Sequence, residues 1–564
     1  MALGIGEAMG GAVGTDLSYP HWTKEVRMLL RKSGTVVSIV LFLVCCGQQV
    51  SLAQGRILEI YPGTDVFGLA AQSLVAGDTL IVHQGIYNET LRMSIRGIGQ
   101  QNAPIMIKGA DGESRPLITR PSSAPEQNTI NIEGEATWLT LRGLEIAGNG
   151  GDGIKMVGAL SYITLEDLVI HDIDVGINLR TSMNNITVRR NHIYNTGSNR
   201  GTGEGMYVGC NYATCIVQDS LIEQNWIHDT LPGTTQGDGI EVKVGSHSNI
   251  IRDNVIYNRP YPGIFVYGTG PNRVNIVEGN VIWNTPEGIY AVADAIVRNN
   301  IVFNSGTGLS LYPHVQVAQM KNITAVNNTL YKNDEGIHMR WDSSTVNMIL
   351  ANNAIYSPNK NALNLSGSVG TFIANYAEGK SDRALDGVAF IAGGSSTTAF
   401  VDPAHNDLWP QIGSPLLGFA NGAYTPPADF NANARKFPYD VGAYETEGLA
   451  FNPGWRITAG FKELAPPAVD TIRPTVRITA PPPGTVVSKN LTISAEASDN
   501  VGVVGVRFQL DGTDLKPEDL TAPYSMTLNT TKISNGPHTL TAVARDAAGN
   551  STTSSQVSIT VNNR

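Results

Sequence analysis

A short motif recurs through the middle of this 564-residue sequence and limits the folds open to it. The motif is Asn or Asp, any residue, an apolar residue, any residue, and again Asn or Asp. A repeat of this kind, 20 to 34 residues long and without helical periodicity, predicts a solenoid of short strands, because no single turn can bury its apolar side chains alone. The copies are NHIYN from Asn191, NWIHD from Asn225, NVIYN from Asn254, NVIWN from Asn280 and NIVFN from Asn300, with looser copies from Asn328 and Asn353.

A glycine followed by an apolar residue also recurs, and it sets the expected strand register. Because side chains alternate across a strand, the residue after each glycine is predicted to point into the coil, and the next residue outward. Val242 and Val244 are predicted to point inward too, and the repeated asparagines are predicted to form an amide ladder at a bend. The predicted inward column is Ile154, Ile177, Met206, Ile240, Ile264, Ile289, Leu309 and Ile337.

Composition agrees with an all-β fold and argues against one class of partner. Charged residues make up only 16% of the chain and glycine contributes 60 residues, a mixture that suits strands and turns. The formal net charge is −10, so we expect no nucleic-acid partner.

Residues 1–53 are predicted to be a signal peptide. Basic residues precede an apolar run over residues 35–46, and small residues at 51–53 suit cleavage before Gln54. A transmembrane anchor, a lipid anchor on Cys45 or Cys46, and a start at Met28 are the alternatives. We expect a secreted or extracellular monomer, free or associated with the cell surface, with no stable membrane span after cleavage.

Two cysteines follow the predicted cleavage site, Cys210 and Cys215. In an exported protein a pair this close in sequence favours a disulfide, and two free thiols are the alternative. The pair alone does not make a metal site.

With these repeats, the chain resembles right-handed parallel β-helix proteins from about Ile57 to Glu445. The resemblance implies a solenoid domain over residues 54–447, with a capping helix within 64–78 and a closing segment that includes 413–422 and 439–445. Residues 448–472 are predicted to be a linker. Alternating strands over residues 473–564 resemble a bacterial immunoglobulin-like β-sandwich, expected to be a spacer or to contact a glycan or surface. The predicted fold class is therefore all-β.

The register predicts two outward columns with many aromatic and basic side chains. Exposed rings can stack on sugars, and cations can bind sugar carboxylates, so an acidic polysaccharide is the expected partner. The alternative is that the rings only stabilise the sheet by stacking on each other. The predicted substrate-binding residues are Phe265, Tyr290, Tyr312, His338 and Arg340, and the first outward column is Lys155, Asn178, Tyr207, Glu241, Phe265, Tyr290, Ser310 and His338.

The stretch QGDGIEVKVGSHSN, residues 236–249, places an acid and a lysine side by side on the outward face. Removing the proton beside a uronate carboxylate needs a base and nearby positive charge. Lys243 is the predicted base, and Arg180 or a bound cation is predicted to neutralise the carboxylate. Tyr207 or Tyr267 is predicted to protonate the leaving oxygen.

A calcium site is predicted beside that lysine. Glu204 and Asp238 precede the glycines of successive turns, so their carboxylates are expected about one strand spacing apart. With Glu241 they could form an oxygen cage, to which Asp152, Asn211 or Asp219 are further candidates. The alternative is a set of solvated acids that spread apart.

The same stretch resembles the base-bearing turn of polysaccharide lyase family nine, through Asp238, Gly239, Lys243, Gly245 and Asn249. That family has an acidic pair on the following turn, where this chain has Tyr261-Pro262-Gly263. A weaker resemblance is to family six, which includes chondroitinase B and alginate lyases. The resemblance implies a calcium-assisted polysaccharide lyase.

Two functions are therefore predicted from the sequence. The first is an exported lyase that cleaves an acidic polysaccharide by β-elimination, and the second is a non-catalytic glycan-binding or structural protein of the cell surface or matrix. The chain contains no Asp-Asp dipeptide, which argues against hydrolysis of the polygalacturonase type. Its histidines lack zinc-ligand spacing.

Overall fold

A computed structural model describes residues 55–121, 123–124, 128–148, 150–198, 201–365, 367–464, 472–499, 502–546 and 549–563. The predicted signal peptide and its alternatives lie outside these residues. No helix within the described ranges combines the length and the apolar character that a membrane crossing requires.

Strands between Ile57 and Ala392 stack in parallel along three faces of a coil. The first face is formed by Ile57–Ile60, Thr79–Val82, Ile105–Gly109, Thr137–Arg142, Ser161–Glu166, Thr187–Arg189, Leu221–Glu223, Ile250–Arg252, Asn275–Glu278, Ala293–Arg298, Lys321–Val326, Val346–Ala351 and Thr371–Ile373, with Met183–Asn184 and Val217–Gln218 beside it. The second face is formed by Ile86–Asn88, Leu117–Thr119, Glu145–Ala147, Val169–Ile173, His192–Thr196, Trp226–Thr230, Val255–Tyr257, Val281–Trp283, Ile301–Phe303, Thr329–Tyr331, Ala354–Asn364, Asn375–Ser381 and Phe390–Ala392. The third face is formed by Ser94–Ile95, Ile130–Gly134, Ile154–Gly158, Ile177–Leu179, Met206–Val208, Ile240–Val242, Ile264–Val266, Glu287–Ala291, Thr307–Leu311, Glu335–Met339 and the end of Ala354–Asn364.

The coil interior is filled by the inward column that the sequence predicts. Each residue from Ile154 to Ile337 in that column is at most 1% exposed and belongs to one continuous core. Neighbouring members pair directly, as Met206 does with Ile240 and Ile240 with Ile264. The predicted register is therefore confirmed along the third face.

The repeated asparagines form the predicted ladder at the bend between the first and second faces. Asn254 shows the pattern: its amide donates to Asn280 Oδ1 at 2.9 Å and to the Ile222 carbonyl at 3.1 Å. Its own Oδ1 accepts from the backbone and side chain of Asn225. The ladder extends to Asn375, which the sequence motif does not mark.

The recurrent glycines allow close packing between faces. A Cβ on Gly239 would lie 2.3 Å from the Gly263 carbonyl oxygen and 2.6 Å from Ile256 Cγ2 of the second face. Any side chain there would push neighbouring turns apart, which explains the glycine that precedes the inward residue on the turns from Gly153 to Gly336.

Residues 396–464 fold back along the second face. They contain the helix Ser396–Ala399, the antiparallel strands Phe400–Asp402 and Asp407–Pro410, and the 3₁₀ turns Pro403–His405 and Gly422–Tyr424. Their apolar side chains, including Trp409, Phe430 and Trp455, pack with second-face rings such as Tyr257 and Tyr331. Residues 448–464, part of the predicted linker, thus contact the coil. At the other end, the predicted amphipathic helix is present as Val66–Gln72.

The final described residues form two antiparallel-rich sheets around a core of their own. One sheet contains Thr475–Ala480, Asn490–Ser498 and Tyr524–Asn529; the other contains Thr485–Val487, Val503–Leu510, Thr513–Asp514, Gly536–Asp546, Ser551–Thr553 and Val557–Val561, and Thr530–Lys532 is a 3₁₀ turn. Ile493, Val506 and Leu540 are fully buried between the sheets. The arrangement is the predicted immunoglobulin-like sandwich.

Candidate functional site

The outward column of the third face carries the candidate site. Its residues pair in the predicted order, so Glu241 lies between Tyr207 on one neighbouring turn and Phe265 on the other. Strand Ile240–Val242 ends before Lys243. Val244 packs against the outward rings of Phe265 and Tyr267. The prediction that Val244 points inward is therefore wrong, because the strand alternation stops two residues earlier.

Lys243 and Glu241 form a buried ion pair at the centre of the site. The Lys243 ammonium contacts Glu241 Oε1, and these side chains are only 4% and 3% exposed. Tyr267 donates its hydroxyl to the same carboxylate oxygen at 3.1 Å. Lys243 Nζ also lies 4.6 Å from the centre of the Tyr207 ring and 5.4 Å from that of Tyr267, within range of cation–π attraction.

Glu204, Asp238 and Glu241 form an acidic cluster beside this pair. Carboxylate oxygens from all three lie within 4.8 Å of one another, and all three residues are buried. Both Glu204 oxygens, Asp238 Oδ1 and Glu241 Oε2 accept no hydrogen bond from the described residues. Buried oxygens without donors fit a hard cation, since calcium binds through several carboxylate oxygens.

The electrostatics of the cluster favour a bound cation or protons. Burial, together with the charge of Glu241, raises the pKa of Glu204 to about 7. Burial and the charges of Glu241 and Glu204 raise the pKa of Asp238 well above its usual range. Ionising all three acids without a counter-charge would be costly, so a divalent cation would relieve both burial and repulsion.

Two of the further calcium candidates, Asp152 and Asp219, lie outside this cluster. Asp152 accepts from Asn178 Nδ2 at 2.9 Å and contacts Lys155, two turns before Glu204. Asp219 pairs with Arg273 at 3.1 Å on the first face. Asn211 uses its Oδ1 to accept from Tyr207 and Gln316, at 3.3 and 3.1 Å. Asp152 and Asp219 therefore do not join the cage, while a contribution from Asn211 stays a prediction.

Arg259 binds the backbone of the turns that carry the cluster, a role that its sequence position did not indicate. Its buried guanidinium donates to the carbonyls of Gly203, Gly237 and Asp238, at 2.6, 2.9 and 3.2 Å. These carbonyls belong to the turns that carry Glu204 and Asp238. Burial lowers the pKa of Arg259 to about 10.

The predicted exposure of the aromatic column is wrong. Phe265, Tyr267 and Tyr290 are 7%, 2% and 5% exposed, and the rings of Phe265 and Tyr290 stack at 4.3 Å. Burial raises the pKa of the Tyr267 and Tyr290 hydroxyls well above the usual value. The rings thus stabilise one another, and another part of the chain lies over them.

Residues 312–317, which we name the covering segment, lie across these rings. His314 meets the ring of Tyr267 edge-on at 4.9 Å and that of Phe265 at 5.6 Å. Gln316 donates to Asn211 at 3.1 Å and accepts from the backbone amide of Tyr212 at 2.7 Å. Desolvation, with the nearby Lys243 charge, lowers the pKa of His314. No motif or repeat position predicts that His314 or Gln316 lies beside the site.

Other predicted site residues flank the centre. Arg180 is exposed two turns before Lys243, with its guanidinium 5.5 Å from the Tyr207 ring. Burial, then the Glu241 charge, raises the pKa of Tyr207 to about 12. Tyr312, His338 and Arg340 continue the column on later turns. The ring of Tyr312 lies 4.3 Å from that of Tyr290, Tyr312 contacts Glu287, and His338 pairs with Glu335 at 2.7 Å.

A disulfide joins Cys210 to Cys215 and closes the turn beside Tyr207. This turn contains Asn211 and Tyr212, which bind the covering segment.

Three sequence families match parts of the chain. Residues 122–275 match the family described as right handed beta helix region, and residues 474–542 match the bacterial Ig domain family. The chain is a right-handed parallel β-helix followed by an immunoglobulin-like domain. Residues 217–393 of the β-helix also match the family described as periplasmic copper-binding protein (NosD). A search of the curated proteins found no match.

Several solved β-helix structures are similar to the chain at low identity. An alginate lyase from Paenibacillus sp. str. FPU-7 is 19% identical, with 52% of this chain and 97% of that one covered and a TM-score of 0.39. Pectate lyase Pel9A is 15% identical, with 70% and 97% covered and a TM-score of 0.41. A mannuronic acid specific polysaccharide family 6 lyase from human gut microbiota is 14% identical, with 59% and 88% covered and a TM-score of 0.42.

Proposed function

We propose that the chain is an exported lyase that cleaves an acidic, uronate-containing polysaccharide by calcium-assisted β-elimination. The observation that carries the proposal is the placement of an amine, Lys243, against three buried carboxylates, four of whose oxygens lack donors. A base and a cation site side by side are what proton removal next to a carboxylate requires. The disulfide agrees with an exported protein.

In this proposal, Lys243 is the base, and its side-chain nitrogen removes the proton from the carbon beside the sugar carboxylate. The electron pair forms a carbon–carbon double bond while the bond to the leaving glycosidic oxygen breaks. Tyr207, whose ring lies next to Lys243 Nζ, donates a proton to that oxygen. Arg180, exposed on the far side of the Tyr207 ring, binds a carboxylate of the chain.

Glu204, Asp238 and Glu241 would hold the cation. Calcium bound there would offset the charge of the substrate carboxylate and so make the neighbouring carbon more acidic. Three carboxylates are hard oxygen donors, which suit calcium better than copper. A cation in the site would also weaken the ion pair between Glu241 and Lys243.

Substrate would have to displace the covering segment, because Lys243 is only 4% exposed and the segment lies on Tyr267 beside it. The hydrogen bonds from Gln316 to Asn211 and from Tyr212 to Gln316 are the contacts that would open. The disulfide restrains the turn that contains Asn211 and Tyr212, to which the covering segment binds.

A direct assay tests the proposal. Polygalacturonate, alginate and chondroitin are each incubated with the full chain in calcium or in chelator, and unsaturated uronate ends are followed by ultraviolet absorbance. We expect activity on one of them, lost by at least about 1,000-fold in Lys243→Ala, because the base is gone. Lys155→Ala, on the same face, is the matched control and keeps activity. No absorbance change on any substrate would overturn the proposal.

The alternative function is non-catalytic glycan binding. It is favoured by one observation, that Lys243 and the neighbouring rings are buried in contacts with each other. In that case, the chain would be retained by an acidic polysaccharide without producing unsaturated ends.

A further inference from the structure

The first face carries a groove about 290 Å³ in volume that lies outside the site described above. Its walls include the rings of Trp138 and Tyr162, and its floor includes Thr140, Thr164 and Thr187. The two rings are parallel, with centres 4.1 Å apart and planes 3° apart, and Tyr162 is 42% exposed.

The two aromatic residues occupy backbone positions that do not suit them. Trp138 has a φ of 50° and Tyr162 a φ of 54°, in the left-handed region that Asn, Asp and Gly adopt with least strain. The same corner on later turns holds small polar residues: Asn185, Asp219, Ser248, Asp294, Asn322 and Asn347.

The polar residues at this corner satisfy one another. Asn322 donates to Asp294 at 2.8 Å, and Asn347 donates to Asn322 at 2.9 Å, so the corner supports a polar ladder. Trp138 and Tyr162 replace that ladder with partly exposed rings at a backbone cost. Trp138 and Tyr162 depart from the backbone preference of their residue types and gain no burial by it, which indicates a binding role.

The floor of the groove offers hydrogen-bonding groups in a regular row. Thr164 pairs with Thr140 on one side and with Thr187 on the other, so their hydroxyls are spaced by about one strand distance, roughly 4.8 Å. None of these three hydroxyls bonds to another described residue. Because Trp138 and Tyr162 stack on each other, each ring keeps one face free of its partner. A ring face beside a row of free hydroxyls is suited to a sugar chain, which offers C–H faces and hydroxyl groups.

The charges around the groove indicate a neutral chain. The adjacent row of the first face alternates in sign, and its members pair with each other, as Arg189 does with Glu166 and Arg252 with Glu223. Asp219, at the groove, is paired with Arg273. With these charges paired, the groove has no unpaired cation for a sugar carboxylate.

We propose that this groove is a second glycan-binding site, which holds a neutral hexose chain through Tyr162, Trp138 and the threonine row. It is independent of the cluster around Lys243 and carries no catalytic group. A chain with both sites would be held on a neutral polysaccharide while acting on an acidic one.

The test uses affinity electrophoresis of the full chain in gels that contain hydroxyethylcellulose, laminarin, galactomannan or polygalacturonate. We expect at least one of the three neutral polymers to retard the chain. Tyr162→Asn and Trp138→Asn should weaken that retardation at least tenfold. Tyr261→Asn is the matched control, because Tyr261 is 43% exposed elsewhere on the surface, and it should bind as the unchanged chain does.

Thermal unfolding separates binding from structure. Asn suits the left-handed corner better than Tyr, so Tyr162→Asn should unfold at the same temperature or higher. Retardation by polygalacturonate alone, no retardation by any neutral polymer, or undiminished retardation of Tyr162→Asn would each overturn the proposal. So would a variant that loses binding only together with its folded state.

Discussion

At the residue scale, the energetic cost of burying three acids together indicates a ligand-binding site. Glu204, Asp238 and Glu241 lose hydration without gaining enough donors, an arrangement that a fold under selection for stability alone would avoid. Arg259 neutralises part of this charge, but it donates to backbone carbonyls and not to the carboxylate oxygens. The oxygens thus stay available to a ligand.

Replacement of Asp238 by Asn tests whether that ligand is a cation. In chelator, we expect Asp238→Asn to melt at or above the temperature of the unchanged chain, because an amide cannot place a charge in this buried site. Calcium at one hundred times its dissociation constant should stabilise the unchanged chain by about 2.7 kcal/mol, and the variant much less. Calorimetry with and without calcium measures both effects. Asp219→Asn, which changes a paired surface acid, is the control, and an equal calcium effect in Asp238→Asn would contradict the cation site.

At the element scale, the asparagine ladder holds successive turns in register. Each buried amide satisfies backbone and side-chain groups of its neighbours, so removing one leaves several buried polar groups without partners.

Asn254→Ala should therefore destabilise the coil by about 3 kcal/mol, because the Asn225 amide and the Ile222 carbonyl lose their partner. Chemical denaturation followed by circular dichroism measures the loss. Asn361→Ala, an exposed asparagine on the same coil, should change stability by less than about 0.5 kcal/mol. Similar effects of the two substitutions would mean that the ladder does not stabilise the fold.

The elements show why the sequence predicted one part of the site and not the other. Glu204, Asp238, Glu241 and Lys243 could be placed together because strand alternation and the repeat fix their positions on adjacent turns. The covering segment could not, since Gln316 meets Asn211 from 105 residues away in a loop without periodicity. The exposure of Phe265 was mispredicted for the same reason.

At the scale of the whole molecule, the three faces of the coil have different surroundings. Residues 396–464 cover much of the second face, the covering segment lies over the catalytic candidates on the third, and the first face keeps the threonine groove open. The fold therefore offers the first and third faces to ligands and uses the covered second face for stability.

The end of the β-helix domain can be located by truncation. A chain that ends at Leu464 keeps Trp455 buried, and it keeps Lys462 bonded to Asp253 at 2.6 Å and to the Gly279 carbonyl at 2.8 Å. A chain that ends at Thr446 lacks these contacts and leaves the second-face rings near Trp226 without Phe461.

We expect the chain that ends at Leu464 to melt with the β-helix transition of the full chain, because the immunoglobulin-like domain has its own core. The second chain should lose at least about 3 kcal/mol. Calorimetry of both chains distinguishes these outcomes, and equal melting temperatures would mean that residues 447–464 are only a linker.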